Sequence, residues 1–214
     1  VLLEEKLIQF KIHIVGISPQ IFRRFVVRDS TSIAQLHHLI QMIVGWDGYF
    51  LHEFHIWGRY YGHFYSNDCD VPLSHFGFKE KDKFTYTYNF YDFWEHELRV
   101  EKITSLSSND NYPKVIDGKR SCPIEGIGGA KYYQEAITRQ FLWCYDMLDK
   151  VAESIENKRL SEIDFDEVPS WYLHHNSERF EKKKINRALK KLYQKNGDSD
   201  FWDTLGDYSE FLEE

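Results

Sequence analysis

Cysteine is scarce in this chain. Cys69, Cys122 and Cys144 stand far apart, none pairs at C-x-x-C spacing, and an odd count argues against a disulfide framework. Reduced thiols suit a cytoplasmic protein, which is the expected location. No apolar run approaches membrane-spanning length, and no cationic start leads into an apolar stretch, so neither a membrane span nor a secretory leader is expected. Internal repeats and low-complexity segments are also missing. Positive charge is in deficit: 27 Lys and Arg face 34 Asp and Glu, for a net charge of −7. Such a chain has no general attraction for phosphate backbones, and nucleic-acid binding would need a local basic face.

Aromatic residues are plentiful instead. Sixteen Phe, fourteen Tyr and six Trp make up 17% of 214 residues. Rings on that scale need either a large core or a binding groove. The length suits one domain able to bury its own core.

Periodicity organises the first half. Residues 7–15 alternate, with Ile8, Phe10, Ile12 and Ile14 on one face, the period-two signature of a half-buried strand. The turn at Gly16-Ile17-Ser18-Pro19 leads to a second strand over 21–27 that carries Arg23 and Arg24. Ser32 with Gln35 fits a capping box, Ile33, Leu36, Ile40 and Ile43 recur at helical spacing, and Gly45 marks the stop. Strands are expected again over 51–57, 83–90 and 94–102, with a loop over 58–78 broken by a short helical turn near Phe76. Loops are expected over 104–111 and 122–129. A long amphipathic helix follows over 132–155, with Ile137, Phe141, Cys144, Leu148, Val151 and Ile155 on one face. A basic helix is expected over 179–194.

The expected fold class is α+β: a β-grasp-like mixed sheet in the order β-β-α-β-β-β, with a helical C-terminal part packed on the core. The expected division is a single domain over 1–195, with its sheet core in 1–105 and its helical part in 130–195. An acidic, aromatic tail over 196–214 follows it.

Several runs, in one order, resemble the plasmid pRiA4b ORF-3-like family, which is found on bacterial and archaeal plasmids, mobile elements and chromosomes. They are Gly16 to Arg24 (GISPQIFRR), Gly45 to Phe54 (GWDGYFLHEF), Trp94 to Ile103 (WEHELRVEKI), Cys122-Pro123-Ile124-Glu125 with Gly128-Gly129, and Ile185-Asn186-Arg187-Ala188-Leu189. The resemblance implies a family fold without a secure activity. Some members carry a transposon-passenger or resolvase-like label, but no nucleophilic Ser or Tyr sits here in an arginine-rich setting. The chain departs from the family pattern at four places. The family usually has Asp where this chain has Asn89, glycines where it has Tyr91 and Phe93, and an acid where it has Gly126. The turn must therefore reach positive φ with bulky residues.

Two chemistries compete with plain structural roles. His52 and His96 lie on the apolar faces of their strands. With Asp47 or Asp92 they would form a two-histidine, one-carboxylate set suited to a divalent metal, with positions left for water. The commoner use of such histidines is a hydrogen-bonded place in the core, and no cofactor is expected. Glu95, Glu97, Arg99 and Glu101 read as a solvated face paired with Lys83. Cys122 is a candidate nucleophile beside a helix start, though a structural loop cysteine is the commoner case. Gly126 to Gly129 could offer N–H groups to an anion. Lys182, Lys183, Arg187, Lys190 and Lys191 could follow a phosphate backbone, unless Asp164, Asp166, Glu167 and the tail neutralise them.

The function expected is a non-enzymatic interaction module for a protein or nucleic-acid partner, linked to plasmids or mobile elements. Its binding surface would comprise Trp46, Tyr49, Tyr91, Phe93 and Trp94. The alternative is a metal-dependent hydrolase or nuclease using His52, His96, Asp47 and Asp92.

Overall fold

The computed structural model describes residues 5–62, 70–106, 112–158 and 175–200. Alternating residues form strands β1 (Lys6–Ile14) and β2 (Phe22–Arg28), joined as a hairpin. Helix α1 (Ile33–Val44) begins at Ser32, whose hydroxyl accepts from Gln35 N–H while Gln35 reaches back to the Ser32 N–H, so the expected capping box forms. It ends at Gly45 in the left-handed region (φ 80°), as the sequence predicts.

Next come β3 (His52–Ile56), β4 (Arg59–Gly62), a 3₁₀ turn (Leu73–Phe76), β5 (Lys83–Tyr88), β6 (Trp94–Ser105) and β7 (Lys114–Lys119). Two helices close the described chain, α2 (Gly129–Glu156) and α3 (Lys182–Asp200). Helix α3 runs past the expected boundary at 195. The remainder of the expected tail, with Asp164, Asp166, Glu167 and Cys69, lies outside the described residues.

The class is α+β, as expected, and the five expected strands are joined by β4 and β7 at the two edges of a seven-stranded sheet in the order β4-β3-β5-β6-β1-β2-β7. Every ladder is antiparallel, which corrects the expectation of a mixed sheet. The α1 crossover does leave β2 and β3 running the same way. However, β5, β6 and β1 lie between them, so they never pair.

One face of the sheet is apolar and carries α1. Phe10, Phe25, Phe54, Tyr86, Trp94, Leu98 and Val100 are buried there against Ile33, Leu36 and Ile40. The other face is polar, as a one-sided antiparallel sheet permits. Arg24 bridges Glu101 at 2.9 Å and Asp117 at 2.7 Å, and Lys83 pairs with Glu97 at 2.9 Å.

The C-terminal helices dock on the sheet at limited points. Tyr133 of α2 is buried, with Ala130 and Ile137 packed beside it. Farther along, Phe141, Leu148 and Ile155, expected on one apolar face of the helix, are exposed. Helix α3 buries Ala188 and Leu189. Its Asn186 accepts from Val115 N–H (2.8 Å) and donates to Val115 O (2.7 Å), completing the edge of β7 as another strand would.

Candidate functional site

Three loops meet at one end of the sheet: residues 46–51 after α1, the 89–93 turn between β5 and β6, and residues 122–128 before α2. Trp46 anchors the first. Its indole N–H donates to Pro123 O at 2.8 Å, and its ring stacks on Tyr88 at 5.4 Å and lies 5.3 Å from Trp94. Glu125 ties the loops together, accepting from the Tyr88 hydroxyl and, at 2.8 Å, from Asp47 N–H. The Tyr88 oxygen in turn accepts from Phe50 N–H at 3.2 Å. Burial, reinforced by the neighbouring Glu125 carboxylate, pushes the Tyr88 phenol up and keeps it protonated.

The turn is held by Asn89. Its N–H donates to Leu51 O at 2.9 Å, its carbonyl accepts from Phe93 N–H and its side-chain oxygen from Tyr91 N–H. Asn89 and Phe93 both have positive φ, at 54° and 52°. Asn tolerates that region, but Phe does not adopt it readily. Asp92 accepts from Gly128 N–H at 3.3 Å, so the anion at the start of α2 is the chain's own carboxylate. A side chain at Gly129 would collide with the Asp92 carbonyl, which accounts for the glycine there.

The histidines are held separately. His52 is buried and stacks flat on His37, with ring centroids 3.5 Å apart. His37 Nδ1 lies 2.8 Å from the Tyr86 hydroxyl, which also accepts from Gln41 at 2.7 Å. His96 is fully enclosed. Its Nδ1 faces two carbonyls, Trp94 O at 3.1 Å and Tyr86 O at 3.3 Å, so Nδ1 carries the proton. Its Nε2 has no hydrogen-bond partner among the described residues. Burial lowers its pKa to about 4. The Tyr86 ring contacts both histidines, at 6.1 Å from His52 and 5.4 Å from His96, and stands between their strands.

The structure therefore disperses the four candidates for a metal or catalytic set. His52 and His96 lie in the core, Asp47 is exposed on its loop, and Asp92 is spent on Gly128. Among the described residues no group of three or more His, Cys, Asp or Glu is placed to hold a metal ion. The aromatic set divides too. Trp46 and Trp94 are interior, whereas Tyr49 is 87% exposed, Tyr91 94% and Phe93 56%. Cys122 Sγ accepts from Arg23 Nη2 at 3.2 Å, and burial pushes its thiol up, away from a reactive thiolate. Lys182, Lys183, Arg187, Lys190 and Lys191 are all exposed on α3, and Lys182 donates to Ile116 O.

Sequence reasoning missed the pairing of Tyr88 with Glu125 and the role of His37. Glu125 sits inside a run that carries the family resemblance, so its position was visible and its partner was not.

The fold and this loop junction define an α+β protein with one covered sheet face and a polar, aromatic-rimmed end. The chain belongs to the plasmid pRiA4b ORF-3-like family, whose model matches residues 6–168. It is 27% identical over 136 residues, 60% of its own length and 70% of the other, to the uncharacterized protein y4hQ of Sinorhizobium fredii (strain NBRC 101917 / NGR234). It also superposes with a TM-score of 0.60 on the crystal structure of MM3350, a protein of unknown function from Methanosarcina mazei Go1. That match has 28% identity and covers 85% of this chain and 97% of the other. Among the described residues no helix is long and apolar enough to cross a membrane.

Proposed function

We propose that this chain is a non-enzymatic, cytoplasmic interaction module of plasmid or mobile-element biology, and that the loop end of its sheet receives a protein partner. The observation that carries the reading is Phe93. It is more than half exposed and held at φ 52°, so neither packing nor turn geometry accounts for a bulky ring there. Tyr91, almost fully exposed, shares its turn, and Tyr49 lies on the loop that Glu125 fastens beside that turn. Exposed rings of this kind supply binding area at little entropic cost. The surrounding carboxylates of Asp47, Asp92 and Glu125 favour a basic peptide over a phosphate backbone.

The alternative of a metal-dependent hydrolase or nuclease has less support, because Tyr86 separates His52 from His96 and His96 is enclosed. The test is selection of a displayed random-peptide library on the protein, with binding of the winners measured by calorimetry. The expected outcome is enrichment of peptides combining Lys or Arg with apolar residues, whose binding is lost in the Tyr49→Ser, Tyr91→Ser double variant. Equal binding by the double variant would refute the reading.

A further inference from the structure

A cavity of about 330 Å³ lies away from the loop end, where α3 and the chain leading into it cross β2 and the end of α1. Among the described residues its wall contains Arg23, Arg179 and Lys184 as cations, Glu181 as the one carboxylate, and the neutral Cys122 and Phe180. His175 also lines it and is held neutral, since burial lowers its pKa.

Arg23 is 4% exposed and has no carboxylate partner among the described residues. Its Nε–H donates to Ile43 O, its two Nη1–H groups to Phe22 O and Lys119 O, and one Nη2–H to Cys122 Sγ. A guanidinium has five N–H groups, so one on Nη2 has no acceptor among the described residues. The carbonyls and the Phe180 face 4.3 Å away moderate the charge but do not neutralise it. Arg179 is satisfied by Glu181 at 2.7 Å, whereas Lys184, half-buried in the same wall, has no ion pair among the described residues. Two cations thus remain uncompensated by the described residues in one small cavity of a protein whose net charge is −7.

We infer that this cavity binds the phosphoryl group of a small phosphate monoester, held by the free Nη2–H of Arg23 and by Lys184, with Arg179 at its mouth. A monoester carries a charge of about −2 near neutral pH and so matches the uncompensated pair. The size of the cavity suits a small-molecule ligand, and Met42, Ile43, Phe180 and Ile185 provide apolar wall for the ester group.

The test titrates the full chain with inorganic phosphate, phenyl phosphate and succinate at constant ionic strength, following the thermal midpoint and amide NMR shifts. Saturable binding of both phosphates, with phenyl phosphate at least as tight and succinate without effect, is the expected result. Lys184→Gln and Arg179→Gln replace side chains at the cavity rim and keep the fold testable. Lys184→Gln is expected to weaken phosphate binding about tenfold. Failure to saturate, unchanged affinity in Lys184→Gln, or equal binding of succinate would each overturn the assignment.

Discussion

Phe93 bears a conformational cost in full view of solvent. Left-handed backbone costs an L-residue about 1–2 kcal/mol, while glycine gives back about 0.5–1 kcal/mol of that in unfolded-state entropy. Phe93→Gly is therefore expected to stabilise the fold by about 0.5–1 kcal/mol in urea unfolding, while weakening capture of the partner peptide. His96 carries a cost of another kind. Its folded pKa of about 4 lies below the ordinary histidine value of 6.5, because burial disfavours the imidazolium. Between those values the unfolded chain binds a proton that the folded chain does not. The stability is thus complete above pH 6.5 and drains away as the pH falls towards 4, by about 3 kcal/mol. His13, His38 and His175 are shifted the same way by burial and add to the slope. Urea unfolding at pH 7 and pH 4.5 should show a smaller difference in His96→Phe than in the parent, and an unchanged difference would contradict this account.

At the scale of elements, α3 acts as the closing partner of β7. The Asn186 side chain makes both bonds that a neighbouring strand would offer to Val115. Asn186→Ala should cost about 1–3 kcal/mol, since it leaves a buried amide and carbonyl unpaired. The uncovered edge should also promote association at high concentration, visible by light scattering. Asn186→Asp is expected to be no better, because a carboxylate accepts from Val115 N–H but repels Val115 O. Aromatic packing supports the interface from the other side: Phe180 lies where a side chain on Gly118 would have to go.

Across the whole molecule the order of the sheet sets a gradient of protection. Strands β1 and β6 pair with each other near its centre, while β4 is an edge and β7 an edge covered by α3. Amide hydrogen exchange should be slowest on β1 and β6, faster on β7 and fastest on β4. Protection on β4 equal to that on β6 would show that the sheet opens as a single unit.

The local patterns were legible because a strand face and a helix face are properties of neighbouring residues. Alternation in β1, β3, β5 and β6 and the Ser32 capping box came straight from the sequence, and the family resemblance came with them. The edge strands β4 and β7 left no such trace: the buried residues of β4, Tyr61 and Gly62, are neighbours rather than alternating, and Val115 is the one buried residue in Lys114–Lys119. Periodicity in α2 identified which residues share a stripe, but not that Phe141 and Leu148 would be left uncovered. Only the tertiary structure decided that Tyr88 meets Glu125, that Tyr86 parts the two histidines, and that Trp46 is core while Tyr49, three residues on, faces water. Those outcomes depend on strand order and on the direction in which each side chain leaves the backbone. Neither is encoded within one run of residues, because each is fixed by segments far apart in the chain packing against one another.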